Sequence, residues 1–281
     1  MELCDCFLKG LKMKKLLLAG LIALSSQFAA AETNTQSIDP EFAKIESMVK
    51  ANNMTGAYQA LDKLAKQGNA QAMYNLAYLT QSGQGTAKNE KKAVELYKQS
   101  ADKGYPVANY VLGKNYITGS LGLPTDINKA KQYLNKASSQ GFDDATIDLA
   151  VLLFSENKPE SNKEGLAKLD PLIKKGNYQA IHAKALYDIS LGFKNKDEKL
   201  VQAGLTSIQD LAKKGYIPAL MAVGNMFVNG NIIPQNLPEA KKIFAALAKE
   251  NIPQAKESLA VVDKLMAEQA KGTSKTPAKK S

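Results

Sequence analysis

The chain has 281 residues, 44% of them apolar and 23% charged, and a formal net charge of +10. That length and hydrophobicity exclude a disulfide-stapled miniprotein and a wholly disordered chain, and predict a folded body with its own core. The basic charge is carried by lysine alone, since no arginine occurs, and the chain has one histidine, two cysteines (Cys4 and Cys6) and no tryptophan. It therefore lacks the planar forks that read DNA bases and the imidazole or thiolate sets that hold transition metals. No nucleic-acid partner, metal or cofactor is implied.

From Met13 the sequence reads MKKLLLAGLIALSSQFAAAE: two lysines, an apolar run from Leu16 to Leu24, a polar stretch, then three alanines. This is the layout of a secretory signal peptide, assigned to residues 1–31 with cleavage after Ala31 and Met13 as an alternative start. The product is expected in the periplasm or outside the cell. Both cysteines precede the cleavage point, so the exported part is thiol-free. The apolar run is short for a bilayer span and no second run of about 18 residues follows, which argues against stable membrane insertion. Residues 32–38 read as a short linker. Asp39-Pro40 then opens a helix through about Asn52, with the acid as N-cap and the proline at the first helical position.

The next landmarks recur. Gly68, Gly104, Gly141, Gly176, Gly215 and Asn251 are spaced 36, 37, 35, 39 and 36 residues apart, and four residues after each stands an alanine: Ala72, Ala108, Ala145, Ala180, Ala219 and Ala255. Eleven residues before each Gly or Asn the side chain is small (Ala57, Ala93, Ala130, Gly165, Gly204, Ala240), and seven before it is large and apolar (Leu61, Tyr97, Leu134, Leu169, Ile208, Phe244). Three before it is small again, except at Ile173. Steps of four define one face of a helix, and the Gly or Asn falls where a left-handed C-terminal cap belongs. A second helix follows each cap, with a stripe such as Ala72 and Leu76 and with small residues (Ala77, Gly113, Ala150, Ala185, Gly224) that admit a close neighbour. Gly83-Gln84-Gly85, Gly119 with Gly122, and Gly230-Asn231 form turns between helices.

Such a unit cannot bury its apolar faces alone. It predicts an all-α, right-handed α/α superhelical solenoid of about five to six helix-turn-helix repeats with capping helices at both ends, over residues 39–270. Pro171 predicts a kink or break. The C-terminal capping helix runs from Pro253 to Ala270. Residues 271–281 carry four lysines, no acid and no apolar face, and read as a disordered tail.

The pattern resembles the Sel-one-like repeat family, relatives of tetratricopeptide repeats. Ala108, Leu112, Gly113, Tyr116, Gly119, Gly122, Asp126, Lys129, Ala130, Tyr133, Ala137 and Gly141 match its motif most fully. The segments 72–104 and 219–251 match well, while the two between lack the G-x-G turn. The resemblance implies a non-enzymatic scaffold for a protein or peptide, held on the concave face formed by the first helix of each pair. On that face the candidate ladder is Tyr74, Tyr78 and Gln81, then Tyr110 with Lys114, then Ile147, His182, and Met221 with Asn225. The competing reading is that these side chains pack between repeats.

Two alternatives belong to other classes. Some family members resemble penicillin-interacting hydrolases, and S-x-x-K occurs at Ser47, Ser100 and Ser155, which would suit a weak cell-wall or β-lactam hydrolase; its companion S-D-N and K-T-G motifs are missing. A Lys-rich tail (Lys271, Lys275, Lys279, Lys280) would suit an envelope polyanion.

Overall fold

The computed structural model describes residues 40–273, and these are all-α, with no strand among them. In chain order the helices are α1 (Pro40–Lys50), α2 (Met54–Lys66), α3 (Ala70–Ser82), α4 (Glu90–Asp102), α5 (Pro106–Thr118), α6 (Ile127–Ser139), α7 (Asp143–Ser155), α8 (Pro159–Lys174), α9 (Tyr178–Asn195), α10 (Glu198–Lys213), α11 (Ile217–Asn229), α12 (Leu237–Lys249) and α13 (Pro253–Thr273). The even-numbered helices end at the recurring Gly or Asn, and the odd-numbered ones from α3 onward lead away from it. The expected signal peptide, the linker, Asp39 and the segment from 274 lie outside the described residues. The described chain divides into two compact units, 40–169 and 170–273, the division falling within α8.

All six period markers have positive φ, from 59° at Asn251 to 90° at Gly68. The N–H of the residue after the marker reaches back into the finished helix: Asn69 to Leu64, Tyr105 to Ser100, Phe142 to Ala137, Tyr216 to Leu211 and Ile252 to Leu247, at 3.0–3.2 Å. That same residue stands at the start of the next helix. Where it is asparagine its side chain caps: Asn69 Oδ1 accepts from Ala72 N–H and Asn177 Oδ1 from Ala180 N–H. One residue thus closes one helix and opens the next.

The turns inside each pair are longer and repeat a different bond. The N-cap N–H of the even helix donates to the carbonyl three residues before the left-handed glycine: Asn89 to Thr80, Asp126 to Tyr116 and Asn236 to Phe227, at 2.8–2.9 Å. The two pairs without G-x-G use a different device. A single left-handed residue, Asn157 or Lys196, turns the chain, and the helices lengthen to 16 residues in α8 and α10 and 18 in α9. Residues spent on loop elsewhere are spent here on helix, so the period survives.

Packing follows the small–large stripe. The third residue before the cap is buried at Ala65, Ala101 and Ala212 and half-buried at Ser138, Ile173 and Ala248, and the fourth is buried as well at Ser100, Ala137, Leu172, Leu211 and Leu247. At about 100° per residue both positions border the arc held by the eleventh and seventh. Leu134 sits on Gly113, where an added Cβ would lie 2.8 Å from its Cγ, and the Phe244 ring sits on Gly224 in the same way at 2.6 Å. In the lengthened pairs the small residue is on the other helix: Phe154 covers Gly165, and Ile189 covers Gly204.

Pro171 does not break α8, which runs unbroken from Pro159 to Lys174. Leu169 and Leu172 on either side are buried. Their burial offsets a cost of about 3 kcal/mol for a proline inside a helix. At the other end α13 runs on through Thr273, three residues into the expected tail, because extending a formed helix adds a hydrogen bond per residue without a new nucleus.

Candidate functional site

The ladder expected on the odd-numbered helices resolves into two rows. Tyr74, Tyr110, Ile147, His182 and Met221 stand two residues after the recurring alanines; Tyr78, Lys114 and Asn225 stand six after. The structure uses the rows differently.

The first row packs between repeats. Tyr105, Phe142 and Tyr216, each the residue after a cap, make no side-chain cap bond. Their rings lie instead against the preceding odd helix: Tyr105 at 5.4 Å from Tyr74, Phe142 at 5.0 Å from Tyr110, and Tyr216 edge-on at 5.6 Å from His182. Tyr74 also meets Tyr97 at 5.6 Å, and burial pushes its hydroxyl up to about 12. Burial raises the Tyr110 hydroxyl as well, helped by the Asp148 and Asp144 carboxylates. Ile147 is fully buried, and Met221 is half-buried against the core of the second unit. Each such ring pair contributes about 0.5–1.5 kcal/mol beyond its buried area.

The second row stays at the surface. Lys114 and Asn225 are exposed and Tyr78 is half-buried. The Lys114 ammonium lies 2.7 Å from Asp148 Oδ2 and 5.9 Å from the Tyr110 ring centre. Burial and the neighbouring Asp148 and Asp143 carboxylates raise the Asp144 carboxyl. Around Lys114 this face is therefore polar and of mixed charge. The two missing members of the row are Val151 and Leu186, both large, apolar and exposed. Sequence reading passed over them although their register, six after Ala145 and Ala180, already placed them.

Polar bonds at the repeat distance were also missed. Gln140 Nε2 donates to the Gly104 carbonyl at 2.6 Å, Lys92 Nζ to the Tyr58 hydroxyl at 3.0 Å, and the Ser100 hydroxyl to the Ala70 carbonyl at 2.7 Å. A motif search weighs residue types, and these donors vary in type while reaching one repeat back.

His182 is packed between Tyr216 and its own helix, with Nε2 buried and without a hydrogen-bond partner, and burial lowers its pKa below the ordinary value. The native state then binds fewer protons than the unfolded state as pH falls below about 6.5, so stability declines with acidification until the lower native pKa is passed. Between pH 7 and 5 the melting temperature of the wild type is expected to fall further than that of His182→Gln. Equal slopes would contradict the burial of the ring.

The hydroxyls of the three S-x-x-K motifs are occupied within their helices or by a neighbour. Ser47 donates to Ala43 O, Ser155 to Leu152 O, and fully buried Ser100 to Ala70 O. Among the described residues no group of three or more His, Cys, Asp or Glu side chains is placed to hold a metal, and no helix is long and apolar enough to cross a membrane. Lys275, Lys279 and Lys280 lie outside the described residues, and nothing of the Lys271 side chain is described.

Helix pairs joined by left-handed caps at a period near 36 define an α/α repeat protein. The chain carries three Sel1 repeats: the Sel1 repeat model matches residues 70–105, 106–142 and 217–251. The unmatched stretch contains the two pairs without G-x-G turns. A Sel1 repeat protein from Oxalobacter formigenes is similar in fold, with a TM-score of 0.60, 22% identity, and 79% of this chain and 87% of that chain covered. So is c5321, a protective antigen of uropathogenic Escherichia coli with the SLR fold, with a TM-score of 0.55, 21% identity, and 75% and 44% covered. Over 87 residues the chain is 30% identical to the chitin synthase regulator SKT5 of Saccharomyces cerevisiae, a stretch that is 30% of this chain and 12% of that protein. Sel1 repeats generally serve as protein-interaction scaffolds and not as enzymes.

Proposed function

We propose that the chain is an exported, non-enzymatic scaffold that binds a protein or peptide along the exposed row of its odd-numbered helices. The observation that carries this reading is the division of labour between the rows. Packing consumes Tyr74, Tyr110 and His182, while Lys114, Val151, Leu186 and Asn225 recur at one register with their surface open, beside a half-buried Tyr78. The hydrolase alternative is disfavoured, because each candidate serine hydroxyl donates to a backbone carbonyl and none has a base beside it in a hydrogen-bonded pair. Export is supported by the layout of residues 13–32.

The test is recovery of partners by the tagged chain from envelope extracts, wild type against a Tyr78→Ala/Lys114→Ala/Leu186→Ser variant. Partner recovery is expected to drop with an unchanged melting temperature; equal recovery would remove the surface. N-terminal sequencing of the fractionated product is expected to begin near Glu32, and a cytoplasmic, unprocessed chain would overturn export.

A further inference from the structure

We infer that the face shared by α9 and α11 in the second unit docks an acidic amphipathic helix of another protein, through apolar anchors along its centre and lysines along its border. The inference rests on the scaffold reading above and assigns its partner chemistry.

Along α9, Tyr178, His182, Leu186 and Phe193 fall within an arc of about 80°. Tyr178 keeps 41%, Leu186 40% and Phe193 63% of its surface exposed. On α11, Ile217 (39% exposed), Met221 and Asn225 form the matching line. Tyr216 joins the two helices, its ring 5.9 Å from Tyr178 and 5.6 Å from His182. Native surfaces seldom leave several large apolar side chains together without a partner.

Charge selects that partner. Helix α11 contains no charged residue. On α9 the carboxylate of Asp188 is buried and held by Lys184 at 2.5 Å. Lys194 and Lys196 flank Phe193 and are exposed, and the Lys214 ammonium lies 5.4 Å from the Tyr178 ring centre. Asp197 is engaged as the N-cap of α10, which leaves Glu198 as the exposed acid at that corner. An uncharged centre with a cationic border is complementary to an apolar stripe edged by carboxylates. A second copy would bring lysine borders together, and the chain's own terminal Lys275, Lys279 and Lys280 carry the same sign. Tyr178, Leu186 and Ile217 are more than half covered, so they offer seats more than wedges, which favours a protein segment over a bilayer. Tyr178, Leu186 and Phe193 are about 12 and 10 Å apart along the axis, the two-turn repeat of a facing helix.

The test uses two synthetic helical peptides of about 20 residues with the same Leu/Phe face, one flanked by Glu and one by Lys, titrated by fluorescence anisotropy into the full chain at low salt. The Glu peptide is expected to bind at least tenfold more tightly, and salt should erode the preference. Leu186→Ser and Phe193→Ser should each weaken it about tenfold, a Lys194→Glu/Lys196→Glu variant should abolish the preference, and Ile127→Ser, at an exposed apolar residue on the even-numbered α6 of the first unit, should change nothing. Phe193→Ser removes a ring that is mostly in solvent, so it tests the face even where Leu186→Ser lowers the melting temperature. No binding of either peptide, or equal binding of both, overturns the assignment. Binding lost only on Tyr78→Ala/Lys114→Ala overturns it while leaving the scaffold reading intact, and indifference to every variant removes both. Phe193-dependent binding to phosphatidylglycerol vesicles, or self-association abolished by Phe193→Ser, also overturns it, in favour of a membrane or a second copy.

Discussion

Phe244→Ala is expected to destabilise the second unit by about 3–5 kcal/mol in urea unfolding. Phe244 is fully buried in the core of that unit, seven residues before its cap, and its ring occupies the place a Cβ on Gly224 would take, 2.6 Å from Cε1 and Cζ. The two helix backbones approach over a bare glycine, and removing the ring leaves a cavity that helices fixed at both ends close poorly. The reverse substitution probes the same contact. Gly224→Ala is expected to cost about 1–3 kcal/mol through overpacking, and combining it with Phe244→Leu should cost less than the sum of the two single changes. Strict additivity would mean that the ring and the glycine do not share this space.

Gly85→Ala is expected to cost about 3 kcal/mol or more, near the top of what one methyl group does. Gly85 has φ +72°, and a Cβ there would lie 2.2 Å from the Met54 carbonyl oxygen and 2.4 Å from its carbon. The obstacle is backbone at the start of α2, which cannot rotate aside. The comparison is Gly141→Ala, at φ +81° with no atom within 4 Å of the added carbon. That variant carries only the left-handed penalty of about 1–2 kcal/mol. Equal losses at the two positions, measured by thermal unfolding, would show that the turn does not rest on α2.

Most of the fold was legible because its determinants are periodic. A cap glycine every 36 or so residues, with a small and a large residue at fixed distances before it, fixes helix ends and buried faces together. The burial of the fourth residue before the cap was less legible. Side chains as different as Ser100, Ala137 and Leu247 fill it, so residue type carries no signal there. The unbroken course of α8 through Pro171 was also hidden, since it depends on burial on both sides of the proline.

The surface was legible by position and not by chemistry. Tyr74, Tyr110 and His182 drew notice as residue types common at interfaces, yet the aromatic residue after the next cap, some thirty residues on, covers each. Lys114 is exposed and Tyr78 half-buried. Val151 and Leu186 share the register of Tyr78 and Lys114 but are apolar, so residue type did not single them out, and the fold leaves both of them and Phe193 exposed. A single sequence reports the register of a face more readily than what lies across from it.

The residue that follows each cap has a further consequence for how such a chain can change. Asn69, Tyr105 and Tyr216 belong to two helices at once, so the joint between consecutive pairs has no slack. An extra amino acid there would rotate everything downstream by about 100°. Length variation is instead absorbed inside a pair, where turns of seven or eight residues and turns of two or three already coexist, and growth by whole pairs preserves every joint.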